Sequence, residues 1–224
     1  MNQNPMVFFA YDILKDQPEF AEQFLQHAEI DYYKKGDLVD SPETEEMQRL
    51  HLILEGEVEC CHVLEGHINK IDMIASAGAF IGMSALDSYT RHHSFICRTN
   101  CMIASQPKTA IFDWDKEMLI SLITAQTHKM RIFIQQTIDC YLSSAGRQLL
   151  YLLLEMGGKP RFAGRKELPV MLEVSQKTIA DILGISRVQV MNLLKNMEAD
   201  HIIETRGKQI GFYTSDLEEA LRKE

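Results

Sequence analysis

Residues 175–199 read SQKTIADILGISRVQVMNLLKNMEA, the pattern of two short helices with a sharp turn between them. Ser175 is an N-cap residue, because its hydroxyl can accept from the orphan N–H groups of a first helical turn. Gln176 to Leu183 follow, with Ile179 and Leu183 four apart on one face. Gly184 ends the helix, since a C-terminal reversal needs a positive φ that glycine adopts without a Cβ penalty. Ile185 is the single apolar residue of the turn, and Ser186 is a second N-cap. The next helix places Val190, Leu193, Leu194 and Met197 on its buried side, and Arg187, Val188, Gln189, Asn192 and Lys195 on the other. Small Ala180 lets the two helices cross closely. Such a helix-turn-helix can lay its second helix in a DNA major groove with the N-terminal residues toward base edges. The same pattern also serves as a plain helical hairpin in a core, so the flanking sequence must decide.

On the C-terminal side, Ile202-Ile203 and Ile210 to Tyr213 read as two small strands joined through Arg206-Gly207-Lys208. That is a β-hairpin wing with two cations at its tip, suited to phosphate. The tail SDLEEALRKE has a capping-box start at Ser215 and Glu218. On the N-terminal side, Leu168, Val170 and Leu172 alternate in a loop or short strand, and GGKP (157–160) ends an apolar helix over Arg147 to Met156. Gly146 reads as a break. Before it, Asp115 to Leu142 run 28 residues without Gly or Pro. Leu119, Leu122, Gln126, Met130, Phe133, Thr137 and Tyr141 recur there at spacings of three and four, a near-heptad apolar seam. A helix of about 40 Å cannot bury that seam against a short partner, so a second copy in a parallel homodimer is expected. Polar Gln126 and Thr137 make the seam imperfect.

From Ile30 to about Phe112 the texture is different. Short apolar runs alternate with Gly, Asp, Ser and Asn, and Glu55-Gly56-Glu57 and Glu65-Gly66-His67 mark turns. Leu50, Leu52 and Leu54 alternate clearly, as do Val58 and Cys60. Regular turns over this length mean an antiparallel sandwich or barrel. Ahead of it, Pro18 to Ala28 form a short amphipathic helix with Phe20, Phe24 and Leu25 on one side.

Composition bounds the function. The 224 residues suffice for one large or two small domains with real cores. No run is apolar enough for a membrane span, and MNQNPMVFFAYD lacks the basic and long apolar regions of a signal peptide, which points to the cytoplasm. Five cysteines, an odd number, argue for reduced thiols. The net charge of −9 is opposite in sign to that of most DNA binders, but it is unevenly spread. Residues 1–142 carry 11 basic and 21 acidic side chains, whereas residues 143–224 carry 12 and 11. Acid is concentrated where DNA need not be touched, and a few cations on one face suffice for binding.

The order of a β-roll, a long helix and a winged helix-turn-helix resembles the Crp/Fnr family of bacterial transcription regulators. The resemblance covers nearly the whole chain and is carried by KKGDLV (34–39), LILEGEV (52–58), GAFIGM (78–83), GRQLLYLLL (146–154) and residues 175–213. It implies an α+β fold: an N-terminal double-stranded β-helix, or jelly roll, of cyclic-nucleotide-binding type over 1–114, a dimerisation helix over 115–142, and a winged helix-turn-helix DNA-binding domain over 143–224. It further implies a homodimer on a palindromic site, a small-molecule effector in the roll, allosteric coupling through the long helix, and RNA polymerase as a partner.

The family's recognition helix commonly starts Ser-Arg, then Glu, with an arginine five positions after the first. Ser186-Arg187 keep the start, so Arg187 is expected to contact guanine. Val188 stands in the Glu place and reaches only a thymine methyl; Asn192 stands in the later Arg place and favours adenine. Ser175, Gln176, Lys177, Arg206 and Lys208 resemble the family's phosphate contacts, and Gln189 completes the exposed start of the helix.

The effector pocket departs further. The family's cyclic-nucleotide binders hold the ribose with Gly-Glu and the phosphate with Arg-Ser. Gly82 is kept, but Met83 replaces the Glu, and His93 replaces the Arg before a retained Ser94. Counting back from Gly146, the purine-facing helix positions fall near Ile132 and Phe133. An anionic phosphate wants a fixed cation, and histidine is only partly charged near neutral pH. The set Gly82, Met83, Ser84, His93, Ser94, Ile132 and Phe133 therefore disfavours cyclic AMP and suits an apolar or aromatic organic ligand. The SQK start of the helix-turn-helix also resembles family members that sense halogenated phenols.

Alternative readings are a ligand-binding or interaction module with a degenerate DNA domain, and a haem- or redox-sensing member using Cys60, Cys61 or the histidines at 62, 67, 92 and 93. Cys97 and Cys101 are four apart, and no cysteine precedes Cys60, unlike the family's iron–sulfur sensors. No catalytic spacing, phosphate loop or metal motif is evident, so no enzyme is expected.

Overall fold

The computed structural model describes residues 11–40, 49–64, 67–83, 93–158, 160–163 and 166–223. Two compact units divide at Ile134/Gln135. In the first, strands β1 (Glu29–Tyr33), β2 (Leu38–Asp40), β3 (Arg49–Glu55), β4 (Glu57–Leu64), β5 (His67–Ser76), β6 (Phe80–Ile81), β7 (His93–Cys97) and β8 (Cys101–Pro107) build two antiparallel sheets, ordered β1-β8-β3-β6 and β2-β7-β4-β5. This is an antiparallel sandwich, as the turn spacing predicts, and agrees with the jelly roll that the resemblance implies. The β3–β4 turn pivots on Gly56 at φ +90. A Cβ there would lie 2.3 Å from the carbonyl oxygen of Asn100, so both backbone angle and space require glycine.

The interior between the sheets is Ile53, Val58, Cys60, Met73, Ile81, Phe95, Cys97 and Ile103, all buried. Leu50 and Leu52 are not part of it. They face outward from β3 onto α1 (Ile13–Asp16), α2 (Pro18–Gln26) and the start of α3 (Lys116–Leu142), with Phe20, Phe24, Phe80, Met118, Leu122 and Ala125. β3 is thus buried on both faces, and its leucine alternation marks the helix-covered side. Phe20, Phe24, Phe80 and Trp114 meet largely edge to face, the arrangement favoured by ring quadrupoles. Gln106 donates to the Phe24 carbonyl at 2.6 Å and accepts from the Trp114 indole at 3.4 Å, so its own amide and the indole N–H are satisfied.

The long helix forms where expected, with the Asp115 carboxylate capping the Met118 N–H at 2.8 Å, but its apolar faces differ from the predicted seam. Leu122 belongs to the face packed on the roll, with Met118 and Ala125. The outward stripe in the first unit is Ile120, Ile123, Met130 and Ile134, which are 51–65% exposed. The predicted seam mixes residues of two apolar faces that the one helix carries.

The second unit contains α4 (Ala145–Gly157), β9 (Arg161–Ala163), β10 (Lys166–Leu168), β11 (Val170–Glu173), α5 (Gln176–Leu183), α6 (Arg187–Ala199), β12 (Glu204–Arg206), β13 (Gln209–Phe212) and α7 (Thr214–Lys223). Gly146 is not a break. It is buried in the first turn of α4, which Ser144 caps by accepting from the Arg147 N–H. The wing sheet has three strands, β11-β13-β12, and its β12–β13 hairpin begins at Glu204; Ile202-Ile203 precede that strand. Ser215 does not cap the tail helix either, since α7 already starts at Thr214. The carboxylate of Glu167, from β10, accepts from the Thr214 N–H at 2.8 Å and the Ser215 N–H at 3.4 Å. A carboxylate at a helix N-terminus is favoured by the orphan donors and the dipole alike. Among the described residues no helix is long and apolar enough to cross a membrane.

Candidate functional site

The helix-turn-helix forms as its caps dictate. Ser175 Oγ accepts from the Thr178 N–H at 3.0 Å. Gly184 adopts φ +66 and ψ 30, and the Ile185 N–H returns to the Ala180 carbonyl at 3.2 Å. Ser186 and Gln189 form a reciprocal capping box: Ser186 Oγ accepts from the Gln189 N–H at 3.2 Å, and Gln189 Oε1 accepts from the Ser186 N–H at 2.9 Å. Ile179, Ala180, Ile182 and Leu183 of α5 and Val190, Leu194 and Met197 of α6 are buried, while Leu193 is only half-buried.

What remains on the outer face of α6 is Arg187, Val188, Gln189, Asn192 and Lys195, all exposed. Arg187 has no ion pair among the described residues, so its five donors are available. Val188 is 61% exposed, an apolar side chain in water at the second position of the helix. The other predicted contacts divide by their present partners. Lys177 Nζ lies 2.9 Å from Asp181, one turn along α5, and Arg206 lies 3.3 Å from Glu204 on the same wing strand. Both are exposed pairs, worth about 0–1 kcal/mol and readily exchanged for phosphate. Lys208, beside Gly207 at the wing tip, is exposed, Gln176 is half-buried, and Ser175 and Ser186 are engaged as caps.

In the first unit, Gly82, Met83, His93, Ser94 and Phe133 are the described members of the predicted effector pocket. Met83 lines a groove of about 470 Å³ with Leu122, Gln126, Thr127, Met130 and Ile134 of α3. Gly82 at φ +90 would bring a Cβ within 2.3 Å of the Arg49 carbonyl oxygen, which accounts for glycine there without a ligand. Phe133 is half-exposed, with the Lys129 ammonium 5.9 Å from its ring centre. Ser84 and the Ile132 side chain lie outside the described residues. His93 and Ser94 are neighbours on β7 and so take opposite faces. Ser94 is buried and pairs in register with Cys61, whereas His93 is half-buried opposite His62.

Strand register creates two groupings: the first is absent from the sequence reading, and of the second the sequence points to His62 and His93 but not to Asp72. His51, Asp40 and Ser105 meet in the interior, with His51 Nδ1 2.9 Å from Ser105 Oγ and Nε2 3.8 Å from Asp40 Oδ2. Each is at most 3% exposed, so this network ties strands together where no substrate reaches it. The second grouping is His62, Asp72 and His93, whose candidate ligand atoms lie within 4.8 Å of one another. Cys60, Cys61, Cys97 and Cys101 are free and buried. Burial pushes the Cys60 thiol up to about 12, and nearby Lys129 opposes this only in part, so almost no thiolate is present near neutral pH. Burial and then the Cys101 thiol push Cys97 up as well.

Residues 147–222 match the family model described as a Crp-like helix-turn-helix domain. No curated relative is found at significant sequence similarity. Among solved structures, the chain is similar to the c-di-GMP-responsive global regulator CLP of Xanthomonas campestris, at 19% identity and a TM-score of 0.74 over 88% of this chain and 99% of that one. A Crp/Fnr-family transcriptional regulator from Thermus thermophilus is similar at 18% identity and a TM-score of 0.71, over 87% and 98%. OCPA-complexed CprK is similar at 20% identity and a TM-score of 0.65, over 90% and 93%. The chain therefore carries a Crp-like helix-turn-helix domain and has the fold of the Crp/Fnr transcription regulators.

Proposed function

We propose that the protein is a homodimeric, effector-responsive transcription regulator that recognises a two-fold DNA site through α6. The observation that carries this reading is the exposed start of α6, where Arg187 is capped into place by Ser186 and Gln189 and has no internal ion pair among the described residues. Arg187 donates two hydrogen bonds to a guanine, Val188 packs on a thymine methyl, and Asn192 reads a base one turn further along. Lys177, Arg206 and Lys208, with Ser175 and Gln176 at the α5 start, hold phosphates and set the register. Neutral composition in the C-terminal part and acid elsewhere turn this face toward DNA.

The outward stripe of α3 supports self-association. Ile120, Ile123, Met130 and Ile134, with Thr127 between them, repeat at a- and d-like positions, and isoleucines in water have little reason to stay exposed. The groove beside Met83 opens onto the same stripe, so an apolar effector there would touch both the roll and the dimer helix. RNA polymerase is the partner such a regulator addresses.

Selection from random duplex DNA, followed by binding of the enriched sequence over a salt series, tests the reading. Enrichment of one palindrome with a guanine in each half-site is expected. Equal affinity for all sequences would overturn specific recognition and favour the interaction-module alternative.

A further inference from the structure

We propose that His62, Asp72 and His93 form a binding site for a divalent transition-metal ion within the β-roll. The three residues come from β4, β5 and β7, which are adjacent in one sheet. His62 and His93 are direct cross-strand partners. On their strands, the alternation that sends Cys60 and Phe95 into the roll interior sends His62 and His93 to the same face. Asp72 joins them through an irregularity: Cys60 pairs with Met73 and Cys61 with Ile71, so Asp72 is the extra residue of a bulge. Bulges re-aim a side chain, and this one delivers a carboxylate beside two imidazoles.

Nε2 of His93 is 3.1 Å from Oδ2 of Asp72, and the His62 and His93 rings stand edge to face with centroids 5.6 Å apart. A metal about 2.1 Å from each donor sets tetrahedral ligand atoms about 3.4 Å apart. The observed limit of 4.8 Å closes to that by small side-chain rotations. All three side chains are half-buried, and Asp72 is 14% exposed, so the site is sheltered and still reachable. Lys70 Nζ lies 3.8 Å from the other Asp72 oxygen at the rim.

Two imidazole nitrogens and one carboxylate oxygen suit zinc, iron(II), cobalt(II), nickel(II) or copper(II). Magnesium and calcium prefer all-oxygen shells. Three protein ligands leave a coordination position open to water or a small ligand. Binding of the metal requires neither DNA nor a dimer; only the further step, that the metal alters DNA affinity, rests on the regulatory reading above.

The test uses the full chain, stripped with a chelator and exchanged into chelator-free buffer. Cobalt(II) is titrated in and followed by its visible d–d absorption, and zinc is then added in competition. One ion per chain is expected, displaced by zinc. His62→Ala, Asp72→Asn and His93→Ala are each expected to weaken binding at least about tenfold, the scale on which even outer-shell partners act. His27→Ala, at an exposed histidine elsewhere, is expected to leave binding unchanged. Zinc-induced shifts of the His62 and His93 ring nitrogens in the unsubstituted protein keep the test decisive if a variant fails to fold. No cobalt binding by the unsubstituted chain, or equal binding by the His62→Ala/His93→Ala variant, would overturn the proposal. DNA binding measured with and without zinc separates the two readings. Metal bound without effect on DNA affinity supports the site and refutes its regulatory role, and failure to bind DNA at all leaves the metal result standing by itself.

Discussion

Replacing Ile134 by alanine is expected to weaken self-association while sparing the fold. Ile134 is 54% exposed on the outward stripe of α3. Full burial of an isoleucine side chain stabilises by about 1.5–3 kcal/mol, so roughly half of that is still to be gained on association. A two-fold interface meets each substitution twice, which brings the loss to about 2 kcal/mol, or roughly thirtyfold in the dimer Kd. The substitution should cost the fold no more than about 0.5 kcal/mol, because the side chain is not part of the core. Leu122→Ala is the contrasting variant. Leu122 is 4% exposed and packed against the roll, so its truncation should cost about 2–5 kcal/mol of folding stability and leave the dimer contact itself intact. Sedimentation velocity over a concentration series measures association, and urea unfolding measures stability. An unchanged Kd for Ile134→Ala would refute the assignment of the outward stripe. So would a dimer dissociated by Leu122→Ala without loss of stability.

Other expectations follow from the same geometry. Arg187→Ala should lose about 1–3 kcal/mol on the selected DNA and relax preference for guanine, measured by fluorescence anisotropy on matched and mismatched duplexes. Lys208→Ala should instead weaken all sequences alike and reduce the salt slope by about one. Glu167→Gln should destabilise the second unit by about 0.3–1 kcal/mol, the charge-dependent part of its cap on α7, read by thermal melting. The Ser215 hydroxyl, then the N–H groups of Ser215 and Thr214, hold the Glu167 carboxyl below its ordinary range. Its contribution is therefore complete above the unfolded-state pKa and is lost as pH falls through the lower folded value; the Gln variant should not show that acid-limb loss. Gly184→Ala should cost about 1 kcal/mol, because its φ of +66 is strained for alanine while its Cβ would meet open space. Gly82→Ala should cost more in urea unfolding, since it adds a clash with the Arg49 backbone to a φ of +90.

The helix-turn-helix was legible because its signals are local. Ser175, Gly184, Ser186 and Gln189 act on backbone groups within a turn of themselves, so the spacing alone defines α5, the turn and α6. The β-roll was legible from its turns, and the long helix from its uninterrupted run. The residues expected to line an effector pocket were less so: His93 and Ser94 are adjacent in sequence, yet the pleat sends them to opposite faces, and Met83 lies with α3 in a groove whose lining includes neither.

The chain by itself determined where elements start and stop, through caps, glycines at positive φ and hydrophobic period, all of which are interactions of a few residues. Only the tertiary structure decided which of two apolar faces of α3 meets the roll, which side of β3 its leucines cover, and that Glu167 caps a helix 47 residues away. It also decided that His62, Asp72 and His93 stand together. Each of these depends on strand register or helix phase, and a shift of one residue, invisible in composition and period, turns a side chain to the opposite face.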